Sequence, residues 1–168
     1  VNTGVEIRSD NLTMEKTLLL PNHSFTFSAK IVGDTLFTHA ASEVEKKYLT
    51  YAGSLEEPTQ RVVYNVGDEK PTKITHLSTN KDHLASVDFI NKVVKVFTIN
   101  KLEHVLDISL AEVEHPYSVH IISDGVLVTD FHGDQLCKYG VLPSSGKLWS
   151  CKGKVRPLGI ATDESGFI

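Results

Sequence analysis

The chain has 168 residues, of which 40% are hydrophobic and 23% are charged, and this composition excludes an intrinsically disordered protein. Its 21 acidic residues outnumber the 17 Lys and Arg residues, and the formal net charge of −4 disfavours generic nucleic-acid binding. Apolar runs in the sequence stay shorter than the roughly 18 residues that a membrane-spanning helix requires, so no membrane association is expected.

The predicted elements begin with a partial unit over residues 1–21, followed by a first complete unit from about Phe25 to Val66. In this unit, Leu36 to His39 is a short apolar strand that ends in a polar residue. The stretch from Ala41 to Lys47 has helical potential, but predicted strands bracket it and it is expected to be a loop. Because the chain starts at Val1 rather than at Met, we expect the natural protein to be longer.

Four short strands, separated by turn-forming residues, are predicted in each of the next two units. In the second unit they are Lys73–Leu77, Leu84–Phe89, Val93–Ile99 and His104–Leu110. In the third unit they are Ser118–Ile122, Val126–Phe131, Leu136–Val141 and Leu148–Cys151. Apolar and polar residues alternate from Val94 to Ile99, which is typical of a strand in a sheet.

Two anchors recur in register along the chain. Proline stands at positions 71, 116 and 157, each time after a charged or titratable residue and three positions before a β-branched aliphatic residue. Asp88, Asp130 and, in the first unit, His39 are each followed nine positions later by an aromatic residue. A period of roughly 40 to 45 residues with four strands per unit predicts a β-propeller, in which each unit is one blade.

The predicted fold is therefore all-β, a β-propeller fragment of four-stranded antiparallel blades. Complete blades are predicted at about 25–66, 70–113 and 115–155, and partial blades at 1–21 and 156–168. A blade buries its faces only against neighbouring blades, so the fragment is expected to be marginally stable by itself.

The segment from Asp88 to Phe97 resembles the NHL repeat, in which an Asp closes the second strand and an alternating third strand ends in an aromatic residue. The segment from Asp130 to Tyr139 is similar to it, with Gly133 at the position of Asn91. The segment from Pro157 to Asp163 resembles the opening motif of the same family. The resemblance extends over roughly residues 25 to 168.

With its outer strand from Gly146 to Cys151, the chain most resembles the C-terminal propellers of tripartite-motif proteins. That resemblance implies a propeller that selects the target of a ubiquitin ligase. The RING and B-box zinc modules that perform the ligase chemistry in such proteins do not occur in this sequence, so the ligase role is an analogy. A cytoplasmic, non-catalytic protein-interaction module is the resulting expectation.

Binding is predicted at the face formed by the loops that enter each inner strand and the loops that join second to third strands. The candidate residues on this face are His39, Lys70, Asn91, Lys92, His115, Tyr117, His132 and Arg156. Aromatic and Arg residues are typical of protein interfaces, so a protein partner is expected, with no catalytic residue and no cofactor. RNA binding is the first alternative, because Tyr117 would stack on bases and Arg156 would bind phosphate.

Eight histidines suggest a second alternative, a metal-dependent hydrolase or lyase. A zinc site would need ligands at one equivalent inner position in several blades. The predicted equivalents of His120 are Thr75 and Ala161, which are not usual zinc ligands. Asp88 and Asp130 are predicted to accept backbone hydrogen bonds in the turns that they close, and no metal site is predicted.

The two cysteines, Cys137 and Cys151, match neither a zinc nor a redox spacing. They are predicted to pack between blades together with Trp149, and their spacing leaves a disulfide across one hairpin undecided. So few cysteines favour a reducing, cytoplasmic compartment. The glycosylation triplets that begin at Asn11 and Asn22 favour the opposite, secreted location.

Overall fold

The computed structural model describes residues 4–8, 14–19, 25–42, 47–54, 61–65, 74–141 and 146–163. All regular structure within these ranges is β-strand, which confirms the predicted all-β class. In the same ranges, no helix is long and apolar enough to cross a membrane. The chain divides into two units, Val1–Pro71 and Thr72–Ile168.

The first unit contains a two-stranded antiparallel sheet and a four-stranded antiparallel meander. The two-stranded sheet consists of β1 (Gly4–Arg8) and β2 (Met14–Leu19). The meander consists of β3 (Phe25–Val32), β4 (Thr35–Ser42), β5 (Lys47–Ser54) and β6 (Arg61–Asn65). Gly33 adopts a φ of 55° in the tight turn between β3 and β4, a conformation that two-residue hairpin turns require.

The predicted strand end at His39 is wrong. Strand β4 continues to Ser42, and His39 lies inside it, paired with Ser28 on one side and Thr50 on the other. Asp88 and Asp130 are each the sixth residue of their strand, and the sixth residue of β4 is Ala40, not His39. In addition, β4 and β5 stay paired for two residues beyond Ala40 before their turn. The nine-residue spacing from His39 to an aromatic residue is therefore not the same anchor as in the later blades.

The second unit contains two four-stranded antiparallel meanders. The first consists of β7 (Ile74–Thr79), β8 (His83–Asp88), β9 (Val93–Thr98) and β10 (His104–Ser109). The second consists of β11 (Pro116–Ile122), β12 (Gly125–Asp130), β13 (Gln135–Gly140) and β14 (Lys147–Lys152). All eight strands were predicted from the sequence, with ends that differ from the observed ends by at most two residues. We refer to these sheets as the second and third blades.

The core of this unit lies between the second and third blades. Its buried residues come from both sheets and are Ala85, Val87, Val94, Val96, Ile108, Leu110, Val113, Val119, Ile121, Val126, Val128, Cys137 and Tyr139. Strand β12 is buried along its whole length, as expected of an interior strand covered on both faces. Packing one sheet face against the next is the way in which repeats of this kind gain stability.

The outer strand β14 departs from the prediction, because all six of its residues are exposed. Trp149 is 39% exposed, and Cys151 is exposed, so neither packs between these two blades. Cys137 does lie in the core. It is paired with Ser150, and successive side chains of a strand point to opposite faces, so Cys151 points away from Cys137. Both cysteines are free, and the register rules out a disulfide between them.

The inner strands β7 and β11 correct the predicted alignment of the prolines. Pro116 is paired with Asp130, and in the previous blade the residue paired with Asp88 is Ile74, not Pro71. Both inner strands contain a β-bulge after this pair, so the two blades remain 42 residues apart along the whole inner strand, as Asp88 and Asp130 are. The structural equivalent of His120 is consequently Ser78 and not Thr75, while Pro71 lies outside the described residues.

Side chains of the inner strands bond to the next repeat along the chain. His76 Nδ1 lies 3.1 Å from the carbonyl oxygen of Val119, and the N–H of Ile121 donates to Ser78 Oγ over 3.0 Å. His120 Nε2 lies 2.9 Å from Thr162 Oγ1 in the segment after β14. His76 therefore joins β7 to β11, and His120 joins β11 to the segment after β14.

Candidate functional site

Asp88 organises the turn between β8 and β9. Its side chain is fully buried, and Oδ1 accepts hydrogen bonds from the backbone N–H groups of Ile90 and Asn91, both at 3.1 Å. Oδ2 accepts a third bond, of 2.8 Å, from Asn91 Nδ2. The turn ends at Lys92, whose φ is 51°. This geometry confirms the predicted role of Asp88 as a turn-closing residue.

Asp130 does the same in the third blade and also binds a second loop. Its buried carboxylate accepts bonds of 3.0 Å from the N–H of Gly133 and from Gln135 Nε2 in its own turn. It accepts two further bonds, each of 2.8 Å, from the N–H groups of Glu114 and His115 in the loop that enters β11. Asp130 therefore fixes the entering loop against the turn between β12 and β13.

The two turns use different side chains to satisfy Oδ2. In the second blade the donor is the amide of Asn91, and in the third blade it is the amide of Gln135, with Gly133 at the position of Asn91. A Cβ atom at Gly133 would contact both the Asp130 carboxylate and Gln135 Nε2. Gly133 therefore leaves free the space that the Gln135 amide occupies, and a side chain at position 133 would exclude the bond from Gln135 to Asp130.

Substitution of Gly133 by alanine is expected to lower the free energy of unfolding by about 1–3 kcal/mol, because the new methyl group must displace the carboxylate or the amide. Urea unfolding followed by circular dichroism measures this change. Gly146→Ala is the matched control, since a Cβ at Gly146 meets nothing within 4 Å, and we expect its stability to be within about 0.5 kcal/mol of the parent. Equal effects of the two substitutions would contradict the steric explanation.

Next to these turns, aromatic and imidazole rings from several loops and from the start of β11 pack together. Their members, which we call the ring cluster, are Phe89, His115, Tyr117, Phe131, His132 and Arg156. The ring centroids of His115 lie 4.1 Å from Phe89, 4.3 Å from His132 and 5.9 Å from Phe131. Because Phe89 belongs to the turn after β8 and Phe131 to the turn after β12, the cluster extends over both blades.

The remaining contacts extend the cluster toward the segment after β14. Tyr117 lies 6.1 Å from Phe131, and His132 lies 5.4 Å from Phe131, measured between ring centroids. The guanidinium carbon of Arg156 lies 5.2 Å from the centre of the Phe131 ring, in a cation–π contact. Phe131 is therefore the centre around which the exposed members of the cluster are arranged.

The structure brings together four of the eight predicted site residues. His115, Tyr117, His132 and Arg156 form one contact network with Phe131. Of the other four, Asn91 and Lys92 lie in the turn next to Phe89, and His39 lies within β4 in the other unit. Lys70 falls outside the described residues.

Phe89 and Phe131 are functional candidates that the sequence analysis missed, because each was assigned to the end of a strand. In the structure both strands stop at the preceding aspartate, which places each ring in the turn. The signal was present in the sequence, since an Asp-Phe pair recurs at 88–89 and at 130–131.

The surface around the ring cluster is mixed in character. Among the exposed apolar residues, Tyr117 is 38% exposed, Ile90 45% and Leu158 54%. The cations and carboxylates of the same loops are Lys92, Lys154 and Arg156, with Glu112, Glu114 and Asp134. Such a surface suits contacts with another macromolecule. Within the described ranges, no group of three or more His, Cys, Asp or Glu side chains is placed to hold a metal ion.

No family model matches the chain, and no curated protein is significantly similar to it. Solved structures, by contrast, are similar over most of the chain. A chain of a nidogen/laminin complex, which contains a β-propeller, has a TM-score of 0.73 at 11% identity and is matched over 89% of this chain and 56% of its own. This protein folds as part of a β-propeller.

Two further propeller-like structures are similar at lower scores. Glutaminyl cyclase from Myxococcus xanthus has a TM-score of 0.57 at 11% identity, over 83% of this chain and 55% of its own. Hydrazine synthase from Kuenenia stuttgartiensis has a TM-score of 0.63 at 15% identity, over 97% of this chain and 42% of its own. The chain therefore spans about half the length of the structures that it matches. At such identities the likeness concerns the fold alone.

Proposed function

We propose that this propeller segment is a non-catalytic interaction module that binds a protein partner through the ring cluster and the turns beside it. The observation that carries the proposal is the convergence on one face of five rings from two successive blades and of Arg156 from the segment after β14. Aromatic and Arg side chains contribute most of the binding energy in many protein interfaces.

The rigidity of this surface supports the same function. The Asp130 carboxylate holds the backbone of His115 and Gly133 with bonds of 2.8 and 3.0 Å, so the loop that carries His115 is fixed relative to the turn that carries His132. A surface that is already ordered loses less conformational entropy when a partner binds. An interaction site on tightly bonded loops is thus favourable for affinity.

The finer proposal is an NHL-type propeller that selects targets for a ubiquitin ligase in the cytoplasm. It rests on the resemblance of Asp88–Phe97 and Asp130–Tyr139 to the NHL repeat and on nothing in the contacts described above. Sequencing of the full reading frame tests it. A RING and B-box upstream of residue 1 would support the ligase role, whereas a secretory signal there would contradict it.

Affinity enrichment from cells that express the protein tests the interaction function itself. The immobilised chain is compared with Tyr117→Ala/His132→Ala, which removes two exposed rings, and with Lys81→Ala/Lys101→Ala, which changes exposed residues in turns at the opposite end of the second blade. We expect partner proteins to be retained by the parent and by the lysine control, and to decrease about tenfold or more with the ring variant.

Equal recovery with all three proteins would contradict the proposal. Recovery that depends on the rings but disappears after ribonuclease treatment would favour the RNA-binding alternative, which Tyr117 and Arg156 could serve by stacking and by phosphate contact. A metal-dependent hydrolase or lyase is not proposed, because the histidines of the inner strands, His76 and His120, bond to the neighbouring repeat.

A further inference from the structure

Among the described residues, Arg156 is held by a ring and not by an ion pair. Lys95, Lys138 and Lys147 each form an ion pair with a carboxylate. Arg156 is exposed, and its contact in the described part of the chain is with the face of the Phe131 ring, where no acceptor engages its N–H groups. Stacking fixes the plane of the guanidinium while the donors along its edge stay available.

An orientated guanidinium edge selects a planar anion. A carboxylate accepts two parallel N–H bonds from Arg, and such bidentate pairs are stronger and more directional than single bonds to Lys. Phosphate offers similar oxygens, so the surroundings must decide between the two. In this case they comprise apolar exposed residues, Val155 at 75% and Leu158 at 54% exposure, on either side of Arg156.

The charge of the face also argues against a polyanion. Beside its cations, Lys92, Lys154 and Arg156, it carries the carboxylates of Glu114 and Asp134, while Glu112 is paired with Lys147. Nucleic acids are bound with affinity when several phosphates meet an excess of cations. One orientated guanidinium within a surface of mixed charge that is partly apolar is better matched to one carboxylate that has apolar neighbours.

We infer that the ring cluster takes an acidic peptide segment of the partner, with an Asp or Glu carboxylate bound to Arg156 and an adjacent apolar side chain against Tyr117. This inference rests on the proposed interaction function and specifies the chemistry of its partner. Arg156 then determines specificity, and Tyr117 contributes apolar contact area.

A displayed library of random 12-residue peptides, selected on the immobilised 168-residue chain, tests the inference. Parallel selections use Arg156→Gln, Arg156→Lys and the control Lys81→Ala. We expect the parent and the Lys81 variant to enrich peptides with Asp or Glu beside an apolar residue, and Arg156→Gln to lose this preference. Arg156→Lys should bind several-fold more weakly than the parent, because Lys lacks the two-pronged geometry.

The best enriched peptide is then synthesised, together with a version in which its acidic residue is replaced by the amide. Fluorescence anisotropy should show that either change, in the peptide or as Arg156→Gln, weakens binding about tenfold or more, and that the two changes together cost little beyond one alone. Unchanged thermal midpoints of the variants verify that the exposed Arg156 acts on binding and not on folding.

Three results would overturn the inference. They are enriched peptides without an acidic preference, a neutral Arg156→Gln substitution, and tighter Arg156-dependent binding of a single-stranded oligouridine probe than of any peptide. The first two leave the interaction function intact, because that function is judged by the ring variant in the affinity enrichment. If the ring variant Tyr117→Ala/His132→Ala retained partner proteins as well as the parent does, both proposals would be contradicted.

Discussion

Replacing Asp130 by alanine is expected to lower the free energy of unfolding by about 3–5 kcal/mol. The carboxylate is fully buried and accepts four hydrogen bonds, three from backbone N–H groups and one from Gln135. Bonds to a charged acceptor contribute roughly 1.5–3 kcal/mol each, but exposed donors recover part of this from water after the substitution. Urea unfolding followed by circular dichroism measures the loss.

Two other aspartates calibrate this prediction. Asp88→Ala should be destabilising by a smaller amount, because Asp88 accepts three bonds and all of them lie within its own turn. Asp124→Ala should change stability by less than about 1 kcal/mol, since Asp124 is exposed and pairs with Lys138 at the surface. If Asp130→Ala were no more destabilising than Asp124→Ala, the buried carboxylate would not be what joins the two loops.

The same carboxylate makes stability depend on pH at the acid end. Burial alone would raise the pKa of Asp130, but the bonds from Gln135, Glu114, His115 and Gly133 outweigh it and hold the pKa below the ordinary 3.8. Unfolding therefore takes up a proton below pH 3.8, so this stabilisation is complete above that pH and is lost as the pH falls toward the lowered value. The stability difference between parent and Asp130→Asn should consequently shrink over this acid range.

Much of the second unit was predictable because its strands are short, apolar and separated by clear turn residues. Val94 and Val96 alternate with more exposed neighbours in β9, and the turns contain residues such as Asn80 and Asp124. In addition, the Asp at the end of the second strand marks a turn of the same length in both blades. These signals depend only on neighbouring residues, so they can be recognised in one sequence.

The features that could not be predicted depend on register between strands. The prolines at 71 and 116 are 45 residues apart, but the pairs Ile74–Asp88 and Pro116–Asp130 are 42 residues apart, so Ile74 and not Pro71 is the equivalent of Pro116. The exposure of Trp149 has a similar origin, because the register of β13 and β14 pairs it with Lys138 and not with the core residue Cys137.

The candidate site was predicted in part for the same reason. His115, Tyr117, His132 and Arg156 were identified because loop positions follow from strand order. Their contact through Phe131 was not predicted, because Phe131 was assigned to the end of β12. The strand ends one residue earlier, at Asp130, and Phe131 lies in the turn instead of on a face of the sheet. Strand ends are the least certain part of a sequence-based assignment, and the ring cluster is built at two of them.

Ile108→Ala is expected to lower the free energy of unfolding by about 2–5 kcal/mol, because it removes a buried side chain from the core. Ile108 is fully buried in β10 and belongs to the same core cluster as Val119 and Val126 of the next blade. Removing its side chain beyond Cβ leaves a cavity between the two sheets that share this cluster. The control is Val105→Ala in the same strand, which is 37% exposed and should change stability by about 0.5 kcal/mol or less.

Hydrogen exchange measured by mass spectrometry shows how far the Ile108 effect spreads. Because each blade buries its faces against a neighbour, loosening the second blade should also destabilise the third. We therefore expect faster exchange in β12 and β13 as well as in β9 and β10, and unchanged exchange in the Val105 control. Faster exchange confined to the second blade would mean that the third blade is stable without the shared core. In that case the ring cluster, which is formed by loops from both blades, would not depend on the shared core.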